Sequence, residues 1–216
     1  MNQGDLQIGR GPAKSGAEVP VRIGVLALQG DFAAHAAALS ETGAVPVLVR
    51  NPSELEGLDG LILPGGESTT FLKFLERGGF LAELRTFVAQ RPAFGTCAGC
   101  ILLADEVLYP AQESLGVLHA TVERNAYGRQ NQSAIIVAPT TLAGGPLEMV
   151  YIRAPRIAKV GRDVEVMAER DGFPVLIRQG KLMAATFHPE LSSDRRVHQL
   201  FVDIVREDRR SNFLTE

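Results

Sequence analysis

The sequence predicts an α/β fold with a central, mostly parallel sheet flanked by helices, and antiparallel additions in its C-terminal half. Three observations lead there. Apolar runs of strand length at 21–28, 45–49, 59–63 and the approach to Cys97 alternate with helix-competent segments at the spacing of βαβ units. The first run is mostly apolar, which suits a parallel strand covered on both faces. After residue 104 short β-rich runs follow at 116–122, 134–137, 149–152, 164–168 and 174–178, separated by turn residues. That is the pattern of antiparallel strands and hairpins that extend the sheet or are appended to it.

The elements follow in order. Residues 1–20, rich in Gly and polar residues, read as a flexible leader. Residues 21–210 form one domain, and 211–216 a tail. Gln29-Gly30-Asp31 turns the chain, with Asp31 as N-cap of an Ala-rich helix ending near Gly43. Pro64-Gly65-Gly66 stops the third strand, and Ser68 or Thr69 caps a helix ending at Gly78-Gly79. Residues 80–90 form another helix, and the fourth strand runs into Cys97. Residues 182–187 form a last buried strand, ended by His188-Pro189-Glu190, and Ser192 or Ser193 caps a final helix through about Arg206. Right-handed crossovers put the parallel strand ends on one rim, so Gln29, Gly65-Gly66 and Cys97 gather there.

Composition narrows the function classes. At 216 residues without internal repeats, the chain can bury a substantial single core. A net charge of −3 with scattered basic residues leaves no footprint for nucleic acid. Two cysteines three positions apart make no secreted disulfide framework. No apolar run approaches the roughly 20 residues that span a bilayer, and the first 20 residues lack the apolar core of a signal peptide. A cytoplasmic protein with neither nucleic acid nor membrane as partner is the default.

The most informative stretch is Gly95-Thr96-Cys97-Ala98-Gly99-Cys100. A strand end, a cysteine between glycines and an apolar helix start have the shape of a nucleophile elbow. The glycines let the backbone bend tightly, and a helix start beside the thiol favours thiolate. A cysteine nucleophile needs a base, and the base an orienting group. Of four histidines, His35 falls in an Ala-rich helix, His119 in a strand and His198 in the last helix, where structural or surface roles are ordinary. His188 stands at a strand end with Glu190 two residues on. In extended chain those side chains share one side, so Glu190 can hold the imidazole while His188 faces a partner.

Gly95-Thr96-Cys97-Ala98-Gly99 with Phe187-His188-Pro189-Glu190 resembles the class I, triad-type glutamine amidotransferases. Leu28-Gln29-Gly30, Pro64-Gly65-Gly66-Glu67-Ser68-Thr69-Thr70, the block from Val122 to Gln130, and Ile152-Arg153-Ala154-Pro155 narrow the resemblance. Together they resemble the glutaminase subunits of pyridoxal 5′-phosphate synthase, over nearly everything from Val21 to Arg206. The resemblance implies a flavodoxin-like amidotransferase fold. It also implies hydrolysis of L-glutamine to glutamate and ammonia, with Cys97 as nucleophile, His188 as base and Glu190 as orienter. Its glutamine-binding positions fall on Gly66, Glu67, Ser68, Arg124, Ile152 and Arg153. The amides of Gly66 and Ala98 are candidates for the oxyanion hole. Neither metal nor cofactor is implied. The ammonia passes to a (β/α)₈-barrel synthase subunit in a hetero-oligomeric complex, for vitamin B6 synthesis.

The sequence departs from that family at Cys100, where an aliphatic residue is usual, at Asn131-Gln132-Ser133-Ala134, and in its leader. Cys97-Ala98-Gly99-Cys100 is also C-x-x-C at a strand-to-helix junction, which leaves a dithiol oxidoreductase as the alternative, beside a cysteine hydrolase of other substrate. On a helix the two Cα atoms would stand about 5–6 Å apart, within reach of a disulfide. Cys100 as a buried replacement for an aliphatic side chain is the simpler reading.

Overall fold

The computed structural model describes residues 19–77, 79–124 and 133–213. Most of the expected leader, the departure at Asn131-Gln132 and residues 214–216 lie outside the described residues. In chain order the first half runs β1 (Arg22–Leu26), α1 (Phe32–Glu41), β2 (Val45–Val49), β3 (Gly60–Leu63), α2 (Ser68–Arg77), α3 (Phe80–Gln90), β4 (Ala93–Thr96) and α4 (Ala98–Leu103). Then come β5 (Ala104–Leu108), β6 (Leu118–Glu123), β7 (Ala134–Ala138), β8 (Leu147–Tyr151) and β9 (Arg156–Val160). β10 (Glu165–Arg170), β11 (Phe173–Gln179), β12 (Leu182–Ala185) and α5 (Arg196–Phe213) complete the fold.

The central sheet has the order β10-β11-β12-β4-β3-β1-β2. Its five parallel strands, β2-β1-β3-β4-β12, follow the flavodoxin-like order of doubly wound sheets. β11 and β10 extend it as an antiparallel edge. Two further small sheets are appended: β7-β8 is the expected antiparallel pair, whereas β5-β6-β9 is mixed, β6 lying parallel to β5 and antiparallel to β9. Strand alternation divides the core: Leu61 and Leu63 face α2, α3 and α4, while Ile62 and Phe94 face α1 and α5. In register, Leu63 lies opposite Gly95 and Thr96 opposite Ala185. The loops after β3, β4 and β12 therefore leave the sheet level with one another, where ligands bind in open α/β sheets.

Several local expectations need correction. Residues 104–108 and 156–160 are strands that the sequence pattern does not signal, and α4 is only six residues long. Asp31 stands at the N-cap of α1 but makes no side-chain cap bond. Neither Ser68 nor Thr69 caps α2. The Glu67 carboxylate does, accepting from the backbone N–H groups of Thr69 (2.9 Å) and Thr70 (2.7 Å). At the last helix Asp194 accepts the Arg196 N–H at 3.0 Å, and the helix continues to Phe213 rather than stopping near Arg206. β12 ends at Ala185, two residues before the expected Phe187.

A candidate active site at the strand ends

The elbow is a backbone fact. Cys97 adopts φ 48° and ψ −102°, a conformation costly for a residue with a Cβ, and its N–H is fixed by the Ala185 carbonyl at 2.9 Å. The strain sits on the cysteine itself. The flanking glycines serve close approach: a Cβ on Gly99 would stand 1.9 Å from the Leu63 carbonyl oxygen, so only glycine lets α4 start this near β3. Gly65 does the same for the site, because a Cβ there would fall 2.4 Å from His188 Cε1 and 3.4 Å from Cys97 Cβ. The β3 and β4 loops and His188 thus meet at van der Waals distance, as the topology implies.

His188 and Glu190 are paired, but not through an extended chain. His188 leads into a single 3-10 turn, Pro189–Leu191, which folds Glu190 back so that His188 Nδ1 and Glu190 Oε1 lie 2.7 Å apart. The His188 N–H is held by the Val150 carbonyl of β8 at 2.8 Å. Both side chains are almost wholly buried. His188 Nε2 has no hydrogen-bond partner of good geometry among the described residues, and Cys97 is its neighbour in the site. Burial works against a charge on His188, yet its interactions with the adjacent Cys97 sulfur and the Glu190 carboxylate outweigh it and hold the pKa up at about 10. The arrangement therefore favours an imidazolium next to the thiol.

In front of these groups lies a cavity of about 250 Å³. Cys97 and His188 form its floor, and Gly66, Glu67, Ser68, Arg124, Ile152 and Arg153 line it. All six expected binding positions are brought together. Of the remaining expected residues, Glu190 lies buried behind His188, and Ala98 is buried at the start of α4. Arg124, mostly buried, donates to Thr69 Oγ1 at 2.7 Å and lies 3.6 Å from Glu67 Oε1. Partial burial raises the Glu67 pKa, but the donors from Thr70 and Thr69 prevail and bring it down to about 2. Arg153 takes φ 46°, a second strained residue at the rim. Ser68 Oγ donates to Gln112 Oε1 at 3.0 Å. Gln29 Nε2 donates to the Glu67 carbonyl at 2.8 Å and packs on Gly66, whose φ is 128°.

Sequence reasoning passed over two features, Asp31 and a buried histidine cluster, whereas the burial of Cys100 agrees with its simpler reading. Asp31 lines the cavity, and its place after the β1 end was the available signal. Thr96 and the buried histidines 35 and 198 form a polar cluster behind Glu190, brought together from distant parts of the chain. Cys100 is fully buried in the apolar core, where burial and then Cys97 push its thiol pKa up, and both cysteines are free. Such a thiol is a poor partner for dithiol exchange. No helix among the described residues is long and apolar enough to cross a membrane.

Comparison with known proteins bears on this geometry. The SNO glutamine amidotransferase family matches residues 25–207. A pyridoxal 5′-phosphate synthase subunit PdxT of Koribacter versatilis is 60% identical over 186 residues, covering 86% of this chain and 96% of the relative. The subunit of the same name from Solibacter usitatus is 52% identical, covering 84% of this chain and 97% of the relative. A solved structure described as a glutamine amidotransferase superposes with a TM-score of 0.78 at 47% identity, over 85% of this chain and 98% of that one. A Thermoplasma acidophilum protein described as a GMP synthase subunit shares the fold, with a TM-score of 0.67 at 19% identity over 90% of this chain and 98% of that one.

Proposed function

The chain belongs to the SNO glutamine amidotransferase family, and from that premise we propose how its site works as the glutaminase of pyridoxal 5′-phosphate synthase. It hydrolyses L-glutamine to L-glutamate and ammonia in vitamin B6 synthesis. The observation that carries the residue assignments is the buried Cys97–His188–Glu190 constellation at the floor of a cavity lined by both acids and arginines.

The Cys97 thiolate attacks the side-chain carboxamide carbon of glutamine, and the carbonyl oxygen becomes an oxyanion. The N–H groups of Gly66 and Ala98 receive it, each such donor being worth about 3 kcal/mol in the transition state. His188 gives its Nε2 proton to the departing ammonia, which leaves a γ-glutamyl thioester on Cys97. Neutral His188 then takes a proton from water, the hydroxide attacks the thioester, and glutamate leaves as the thiolate–imidazolium pair is restored. Glu190 keeps Nδ1 protonated and stabilises the imidazolium throughout. Arg124 and Arg153 supply donors for the α-carboxylate, as guanidinium groups do well. Glu67 supplies acceptor capacity for the α-ammonium, and Ser68 and Ile152 shape the remaining wall. A cavity of about 250 Å³ suits an amino acid, lying below the roughly 300–1,000 Å³ of drug-sized sites.

The product ammonia goes to a synthase subunit, which we assign to the (β/α)₈-barrel class, and the complex works in the cytoplasm. Glutamate release by the purified chain, measured alone and with a barrel synthase subunit, tests the reading. The expected result is slow turnover alone and a marked increase in the mixture. Equal rates would remove the partner's activating role, and no turnover in either sample would remove the glutaminase assignment.

A further inference from the structure

Behind Glu190, on the side away from the cavity, two buried histidines make a polar chain that the mechanism above leaves unused. His35 of α1 is fully buried. Its Nδ1 lies 3.0 Å from His198 Nε2 of α5, and its Nε2 lies 3.1 Å from Thr96 Oγ1 at the end of β4. The same Nε2 stands 3.3 Å from Glu190 Oε2, the carboxylate oxygen not bonded to His188, which has no hydrogen-bond partner of good geometry among the described residues. His198 packs edge-on against Phe94.

We propose that His35 is a positioning residue for the glutaminase triad, a neutral imidazole that points Nε2–H at Glu190 Oε2 and so aims Oε1 at His188. The inference rests on the glutaminase reading of the site. Counting donors and acceptors selects the tautomer. With the proton on Nε2, His35 offers a donor between two oxygens, Thr96 Oγ1 and Glu190 Oε2, and its bare Nδ1 accepts from His198 Nε2–H. His198 Nδ1, which has no partner among the described residues, then carries only a lone pair. With the proton on Nδ1 instead, a buried carboxylate oxygen would face a lone pair, and His198 would keep a buried N–H with no acceptor. The second arrangement is the costlier on both counts.

The charges around the cluster agree. Burial first, and then His198 and His188, hold the His35 pKa well below the ordinary imidazole range, so the ring is neutral at pH 7. Burial, followed by Arg195, lowers His198 to about 4, with Glu41 opposing. Neither ring therefore carries a second proton at pH 7. Glu190 Oε1 is held by an imidazolium in front, while Oε2 faces a neutral imidazole 3.3 Å behind, and His188 inherits the direction that this contact gives the carboxylate. Thr96 couples the arrangement to the elbow, since it precedes Cys97.

The test measures glutamine turnover by the complex with its synthase for wild type, His35→Leu and His35→Gln. His35→Leu should lower kcat about 10- to 100-fold, the scale on which partners that orient a functional group act. KM for glutamine should stay within about threefold, because the cavity wall is untouched. His35→Gln, whose amide N–H reaches the position of Nε2–H, should recover most of the loss. A general loss of packing would not divide kcat from KM, nor be repaired by glutamine at position 35. In the wild-type protein, long-range ¹H–¹⁵N NMR should show His35 as the Nε2–H tautomer. An Nδ1–H tautomer would overturn the proposal even if His35→Leu does not fold, as would a folded His35→Leu variant of unchanged kcat. Absence of turnover in the wild-type complex would instead count against the glutaminase reading, and the NMR result would still decide the tautomer.

Discussion

The parallel centre of the molecule and its antiparallel half meet at the cavity and bring different things to it. The parallel strands end in the Cys97 elbow, the Gly65-Gly66 turn and, after β12, the His188–Glu190 pair. The antiparallel half brings Arg124 at the end of β6, and Ile152 and Arg153 between β8 and β9. Each half carries one strained non-glycine residue to the rim, Cys97 at φ 48° and Arg153 at φ 46°. The proposed division is chemistry from the parallel half, which also carries Glu67 and Ser68 to the cavity wall, and the two recognising arginines from the other. The physical reason lies in the sheet. Adjacent parallel strands in register hold their loops level to within a residue, which a nucleophile–base pair needs. An appended β-layer can vary its loops without disturbing that register.

Substitutions can break or sharpen this division, and the largest effects belong to the parallel half. Cys97→Ala and, separately, His188→Ala should each reduce kcat for glutamine by about 10⁴-fold or more, by analogy with the loss of a triad member. Unchanged melting temperatures would show that the fold survives. Residual turnover within about tenfold of wild type would reassign the nucleophile or the base.

On the antiparallel side, Arg124→Ala should raise KM about 10- to 100-fold, the equivalent of about 1.5–3 kcal/mol for hydrogen bonds to a charged group. The kcat should hold to within a fewfold. Steady-state kinetics against glutamine read this directly, and a fall in kcat with constant KM would dissolve the division. Arg124 also touches Thr69 and lies near Glu67, so thermal melts belong beside the kinetics.

The smallest effect lies at Glu67, where the halves touch. Its folded pKa of about 2 is below the ordinary 4.5, so its capping contribution is fully present above pH 4.5 and fades as pH falls through 2. Glu67 is largely solvent-exposed, which keeps that contribution under about 1 kcal/mol. The melting-temperature gap between wild type and Glu67→Gln should therefore narrow below pH 4.5. A gap that widens with acid would contradict the assigned cap.

The alternation of apolar runs and helical segments, the elbow at Cys97 and the His188-Pro189-Glu190 ending are local patterns, and each survives in the fold. They are legible because βαβ order, turn chemistry and helix starts depend on residues close in the chain. The reasons behind them are less legible. Cys97 itself bears the positive φ while Gly99 makes room for the Leu63 carbonyl, and a 3-10 turn, not an extended strand, folds Glu190 onto His188. Strands β5 and β9 carry weak patterns, because they draw their order from pairing with β6 rather than from their own periodicity.

By itself the sequence determined that Gln29, Gly65-Gly66, Cys97 and His188 follow strand ends and so share one rim. It could not assign partners across long separations. Ser68 or Thr69 is a better cap than Glu67 by local preference, yet the loop geometry before α2 turns the Glu67 carboxylate onto the helix. His35 and His198 are 163 residues apart and read singly as ordinary structural or surface histidines. Only the packing of α1 and α5 on one face of the sheet makes them a pair and sets them behind Glu190. Side chains on separate elements acquire meeting distances when the core closes, and no local rule carries that information.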